Sequence, residues 1–226
     1  MPTTRPAHPW LVLLGALALA AGLLTVTPLA AQAAPTTVTL VGSLQSELGC
    51  AGDWDPACTA STLVFDAADD AYQATFTVPA GSWEFKVALG GSWDVNYGAG
   101  AVAGGANIAL DLDAPTTVTF VYSDHTHLVL ASTPDHPIVT APGSYQSEIG
   151  CPDDWQPDCL RSWLQDPDGD GIATFTATGI PAGAYEAKAA LGQSWDVNYG
   201  AGGVPNGPNV TFTVTAPTDT VTFAYA

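Results

Sequence analysis

From Trp83 to Leu89 the chain alternates: Trp83, Phe85, Val87 and Leu89 fall on one side, Glu84, Lys86 and Ala88 on the other. A two-residue period predicts a strand with one buried face. Val38 to Val41 alternates in the same way and stops at Gly42. Residues 72–78 alternate with Phe76 and Val78 on one side, and residues 107–112 and 117–122 read as two further short strands. Turn formers separate these runs: Pro79-Ala80-Gly81, Gly90-Gly91 and Ala114-Pro115. The pattern recurs downstream, with Tyr185, Ala187, Ala189 and Leu191 predicted inward and Glu186 and Lys188 outward. Beyond residue 33 no stretch has the 3.6-residue period of an amphipathic helix. Several short strands in roughly 90 residues predict an all-β, immunoglobulin-like sandwich.

The chain contains this unit twice. GSLQSELGCAGDWDPAC starts at Gly42 and GSYQSEIGCPDDWQPDC at Gly143, an offset of 101; SWDVNYGAG recurs unchanged at Ser92 and Ser194, an offset of 102. One inserted residue is therefore expected between these points, near 66–70 and 166–171. A period near 100 residues is the size of a whole domain rather than of a solenoid repeat. Two domains are expected, at 36–131 and 138–226, joined by a polar, proline-bearing linker at 132–137 that should be short and semi-rigid.

The first 33 residues form a candidate secretion signal. Arg5 supplies the positive start, Trp10 to Leu24 the apolar run and Ala31-Gln32-Ala33 a small-residue cleavage site. The apolar run is short for a membrane span. The expectation is a secreted, extracellular protein. Four cysteines fall as matched pairs, Cys50/Cys58 and Cys151/Cys159. In an exported chain, three pairings are possible, and the repeat points to one disulfide inside each domain. Beyond the signal, three bases against 22 acids leave a formal charge of −19. Such a surface repels phosphate backbones and anionic headgroups, which argues against nucleic-acid partners and against membrane association after cleavage.

Lysine is so scarce that a matched pair is informative. Lys86 is followed by Trp93 seven residues later, and Lys188 by Trp195. Each disulfide segment holds a tryptophan, Trp54 and Trp155, and Asn107 and Asn209 open a later strand in each copy. Indole faces suit the apolar C–H face of a pyranose, while lysine and asparagine suit its hydroxyls. The competing assignment is packing. Trp83 shares a face with Phe85 and Val87 and belongs to the core. Trp93 and Trp195 precede a turn-like Asp-Val-Asn-Tyr-Gly and are expected on loops. Trp54 and Trp155 fit either a binding surface or the packing of the disulfide loop.

The strings VPAGSWEFKVALGGSWDVNYG and IPAGAYEAKAALGQSWDVNYG, with the upstream GSLQSELGCAGDWDP, resemble the immunoglobulin-like accessory modules, of starch-binding type, of bacterial pullulanases and α-amylases. The resemblance runs over residues 36–226. More distantly, the layout resembles glycogen-binding modules, with a PxG turn, a lysine seven residues before a tryptophan, and a later asparagine. The resemblance implies two early-set-type immunoglobulin-like sandwiches. It also implies α-glucan contacts at Trp54, Lys86, Trp93 and Asn107, then at Trp155, Lys188, Trp195 and Asn209. The longer disulfide insertion before Trp54 and Trp155 departs from the glycogen-binding pattern.

Asp166-Pro167-Asp168-Gly169-Asp170-Gly171 matches the start of a calcium loop, but its twelfth position, Ala177, is not glutamate, so a hairpin turn is the expectation. His125, His127 and His136 lack matched partner ligands, and no metal or cofactor is expected. There is no G-x-S-x-G, H-E-x-x-H or phosphate loop, and scattered acids do not make the opposed carboxylate pair of a glycosidase. The expected function is a non-catalytic binding protein for starch, glycogen, pullulan or maltooligosaccharide, with an extracellular amylase or pullulanase as its working partner. The alternative is a structural spacer or protein-interaction module without a sugar site, which would bury Trp93 and Trp195.

Overall fold

A computed structural model describes residues 37–226, so the expected signal segment lies outside the described residues. Every regular element described is a β-strand or a short 3-10 turn, and all the pairings are antiparallel. In the first repeat the strands are β1 (Val38–Gly42), β2 (Thr62–Asp66), β3 (Ala71–Val78), β4 (Gly81–Leu89), β5 (Val95–Tyr97), β6 (Ile108–Leu112), β7 (Thr116–Tyr122) and β8 (Val129–Ser132). They run in the order β5-β4-β1-β2-β3-β7-β8, with β6 also on β4. β2 is the corner. Thr62 and Leu63 pair with β1, whereas Val64 to Asp66 pair with β3. The two halves fold face to face over Val38, Leu40, Leu63, Tyr72, Phe85 and Phe120, and the Phe85 and Phe120 rings meet edge-on at 5.1 Å. This sandwich follows from the alternation: Tyr72, Phe76, Val78, Phe85 and Val87 all line or border the core.

The second repeat contains β9 (Val139–Thr140), β10 (Trp163–Leu164), β11 (Ala173–Ala177), β12 (Gly183–Ala187), β13 (Ala189–Leu191), β14 (Val197–Tyr199), β15 (Val210–Val214) and β16 (Val221–Tyr225). Its core solves the same packing problem with different residues. Phe85 of the first repeat corresponds to Ala187, and Leu44 to Tyr145. The Tyr145 ring fills the space, stacking at 4.8 Å on Phe223, the counterpart of Phe120. Its hydroxyl donates to Ala141 O at 2.7 Å, and burial pushes the phenol pKa above its usual range.

The inserted residue is not in the aspartate turn. Val64 pairs with Gln73 and Gln165 with Thr174; Ala74 faces Phe120 and Phe175 faces Phe223. Val64/Gln165, Gln73/Thr174 and Ala74/Phe175 all keep the offset of 101, so the turn has the same length in both copies. The change to 102 comes later, between Ala177 and Pro181. β11 ends at Ala177, Gly179 takes φ +80°, and Ile180 drops into the buried place of Val78. A left-handed residue here costs little as glycine.

The two repeats are docked on one another. Ala71, Val121 and Leu128 of the first form a buried cluster with Ile138, Leu160 and Trp163 of the second. At its rim Arg161 donates to Ala68 O at 2.8 Å, to Ala67 O at 2.9 Å and to the Asp70 carboxylate at 3.3 Å. Leu160 N–H donates to Asp69 Oδ1 at 3.0 Å, and burial raises the pKa of that carboxyl. The first repeat has Thr59, Ala60 and Thr62 where the second has Leu160, Arg161 and Trp163. The apolar docking face is therefore particular to the second repeat.

Candidate functional site

Both disulfides form inside their repeats, Cys50–Cys58 and Cys151–Cys159. Each closes a loop that carries a tryptophan with a left-handed backbone, Trp54 at φ +58° and Trp155 at φ +61°. For a bulky residue this conformation costs on the order of 1–3 kcal/mol, so the surroundings must enforce it. They do so through a buried glutamine that sequence reasoning passed over as loop. Gln45 Oε1 accepts from Asp55 N–H at 2.7 Å, and its amide donates to Asp55 O and Ser61 Oγ, both at 2.9 Å. Gln146 repeats this with Gln156 N–H, Gln156 O and Ser162 Oγ at 2.7, 2.8 and 3.0 Å. Trp54 N–H donates to Gly42 O and Trp155 N–H to Gly143 O. The recurrence of Gln-Ser-Glu was the available signal.

The loop between β4 and β5 carries Trp93, which is 42% exposed, and its counterpart Trp195 is 39% exposed. Both loop placements agree with expectation. Trp155 and Trp195 lie with ring centroids 6.4 Å apart and planes inclined at 39°, so the second repeat presents an angled pair of indoles. In the first repeat the two loops also approach: a Cβ on Gly91 would lie 3.9 Å from Pro56 O. Trp83 is half-buried against the core, with its indole N–H on Pro79 O at 3.0 Å.

The lysines differ from expectation. Alternation turns Lys86 outward, yet it is only 9% exposed, because the outward face of β4 is itself covered at this point. The chain leaving β5 crosses this face: a Cβ on Gly98 would lie 2.0 Å from Ala106 O and 3.0 Å from Lys86 Cε. Only glycine permits that approach. Lys188, half-buried, donates from Nζ to Asn198 Oδ1 at 3.0 Å. Asn198 Nδ2 in turn donates to Trp195 O at 3.0 Å, and Asn96 Nδ2 to Trp93 O at 3.1 Å. The asparagine of SWDVNYG thus ties down the tryptophan loop in both repeats and, in the second, links it to the lysine, a role the sequence reading did not assign.

Asn107 and Asn209 precede β6 and β15 as expected. Their amides donate to Glu84 at 3.1 Å and Glu186 at 2.8 Å, exposed carboxylates on the lysine face of the neighbouring strand. Each repeat therefore combines two tryptophans, one half exposed, with a hydrogen-bonded Asn–Glu pair and a recessed lysine. Aromatic faces beside polar donors and acceptors suit a neutral polyhydroxyl ligand.

The aspartate turn of the second repeat brings the carboxylates of Asp166, Asp168 and Asp170 within 4.8 Å. The Asp166 carboxylate already accepts from Gly169, Asp170 and Gly171 N–H, as in an aspartate-nucleated turn.

Tandem, all-β, disulfide-closed modules of about 90 residues, each with a tryptophan-bearing loop pair, define the class of protein. The chain belongs to the pullulanase X25 domain family, which matches residues 37–129 and again 138–226. It is 36% identical over 199 residues to an amylopullulanase of Thermoanaerobacter thermohydrosulfuricus, covering 85% of this chain and 13% of that protein. An amylopullulanase of Thermoanaerobacterium thermosulfurigenes is 35% identical over 205 residues, covering 87% of this chain and 10% of that protein. The chain thus spans only a small part of these relatives. A pullulanase from Bacillus acidopullulyticus aligns with 85% of this chain and 26% of its own, at 18% identity and a TM-score of 0.38.

Proposed function

We propose that the chain is a secreted, non-catalytic α-glucan-binding protein that works beside an extracellular amylase or pullulanase. The observation that carries this reading is the matched pair of half-exposed indoles, Trp93 and Trp195, on loops beside a second, backbone-strained tryptophan in each repeat. A pyranose stacks on the open indole, and the exposed Asn–Glu pair on the lysine face of the same repeat is the candidate partner for hydroxyls. Two relatives named amylopullulanase contain segments like this one, which supports an α-glucan as the ligand. A neutral polymer also tolerates the strongly acidic surface. Secretion agrees with the two disulfides.

Two weak sites on one chain gain through effective concentration on a polymer that repeats the ligand. The test is depletion of the protein by insoluble starch, with cellulose as control. Retention on starch alone, lost when Trp93 and Trp195 are both changed to Ala, supports the reading; no retention on either polymer removes it. The spacer reading draws on two observations, the buried Lys86 and the apolar docking of the repeats. It predicts an unbound protein whose tryptophan variants behave as wild type.

A further inference from the structure

The two repeats share every residue assigned to the site, yet they differ in what holds the exposed tryptophan. In the second, three hydrogen bonds meet at the nearly buried Asn198. Its Oδ1 accepts from Lys188 Nζ, and its Nδ2 donates to Trp195 O and, at 2.8 Å, to Asn206 Oδ1. In the first, Asn96 Nδ2 keeps the bond to Trp93 O, but Asn96 Oδ1 is buried with no partner among the described residues. The position of Asn206 is occupied by Gly104, which offers no side-chain acceptor. Both take the same left-handed turn, at φ +52° and +63°, and both donate N–H to the asparagine carbonyl at 2.9 Å. The backbone frame is therefore the same, and the difference lies in side-chain links.

We infer that Lys188, Asn198 and Asn206 form a brace that positions the Trp195 loop, and that the second repeat consequently holds the tighter of the two glucan sites. This rests on the α-glucan reading above. An indole already fixed loses less freedom when a sugar settles on it, so bracing appears as affinity. The lysine acts through Asn198 as a positioning residue. The first repeat has the weaker platform because a single side-chain bond ties its loop to β5, where the second repeat has a network of three centred on Asn198.

The experiment uses the full chain and maltoheptaose, with affinity from calorimetry and indole ¹⁵N relaxation as the readout of positioning. Trp195→Ala should lower affinity more than Trp93→Ala. Lys188→Met and Asn198→Ala should each weaken the second site by about tenfold, the equivalent of one good hydrogen bond. Their double variant should be no worse than either alone, because both cut one network. Motion of the Trp195 indole should rise in each, while Trp93 is unchanged. Gly104→Asn should tighten the first site, since asparagine tolerates the left-handed turn and a Cβ there meets nothing within 4 Å. A Lys188→Met loss well beyond that of Asn198→Ala overturns the brace and makes the lysine a direct sugar contact. An unmoved Trp195 in Asn198→Ala, or a greater loss from Trp93→Ala, also overturns the inference. If the wild-type chain binds no maltoheptaose, the glucan reading fails and takes the ranking of sites with it. The relaxation data then still decide the brace. Should Asn198→Ala not fold, Lys188→Met carries the same test.

Discussion

Tyr145 and Ala187 are predicted to be a compensated pair. In the first repeat Leu44 packs beneath Phe85, which meets Phe120 edge-on. In the second, Tyr145 stacks on Phe223 and the strand opposite supplies only Ala187. Tyr145→Leu removes a fully buried ring, its edge-on contact with Phe212 at 5.8 Å and its bond to Ala141 O, and Ala187 is too small to fill the gap. Large-to-small changes of this kind cost about 3 kcal/mol. Ala187→Phe alone forces a ring against Tyr145 and costs about 1–3 kcal/mol by overpacking. Made together they rebuild the first repeat's arrangement, and the loss should shrink to about 1 kcal/mol, because volume-conserving exchanges are tolerated. Guanidinium unfolding of the four proteins, followed by near-ultraviolet dichroism, closes the cycle. Independent sites would add to about 5 kcal/mol, so the expected coupling is about 3–4 kcal/mol, a large value even for residues in contact. Additive losses would refute the proposed correspondence of the two cores.

Gln146→Leu should destabilise the second repeat by about 3 kcal/mol, since Gln156 N–H and O and Ser162 Oγ lose their partner; a chemical-denaturation loss below about 1 kcal/mol contradicts the hub. Arg161→Ala should uncouple the repeats, splitting one calorimetric transition into two, because its guanidinium bonds Ala67 O, Ala68 O and Asp70 across the junction. An unsplit transition at an unchanged temperature would mean that the apolar cluster docks them unaided. Asp219 accepts from Thr215 Oγ, Thr215 N–H and Ala216 N–H, bonds that hold its carboxyl below the usual aspartate value. A depressed folded pKa contributes stability above the unfolded value, near 3.8. That contribution is lost as pH falls through the folded pKa. Carboxyl NMR should find its midpoint below that of an ordinary aspartate, and Thr215→Ala should raise it.

The strands were legible because Trp83 to Leu89 and residues 72–78 alternate with few interruptions, and the disulfides because each pair recurs in place. Trp93 and Trp195 were legible as loop residues because turn formers bracket them. Lys86 was misplaced because period-two reasoning assumes one wet face. Here both faces of β4 are covered from Phe85 to Ala88, the outer one at Lys86 by a chain segment starting at Gly98, and nothing local to the strand announces that cover. The insertion was misplaced because Ala-Thr-Phe-Thr occurs in both copies but two residues out of structural register, which only the pairing of β11 with β16 exposes. Docking through Arg161 was hidden for a different reason. Its partners are the backbone carbonyls of Ala67 and Ala68, and carbonyls carry no sequence signature.

The central claim is that indole faces, one exposed ring per repeat, receive the sugar. Titration of the ¹⁵N-labelled full chain with maltoheptaose, read at each indole N–H, tests it most directly. The account predicts saturable shifts at Trp93 and Trp195, with smaller ones at Trp54 and Trp155, while Trp83 and the buried Trp163 stay fixed. Unmoved signals at Trp93 and Trp195 under saturating maltoheptaose would contradict it.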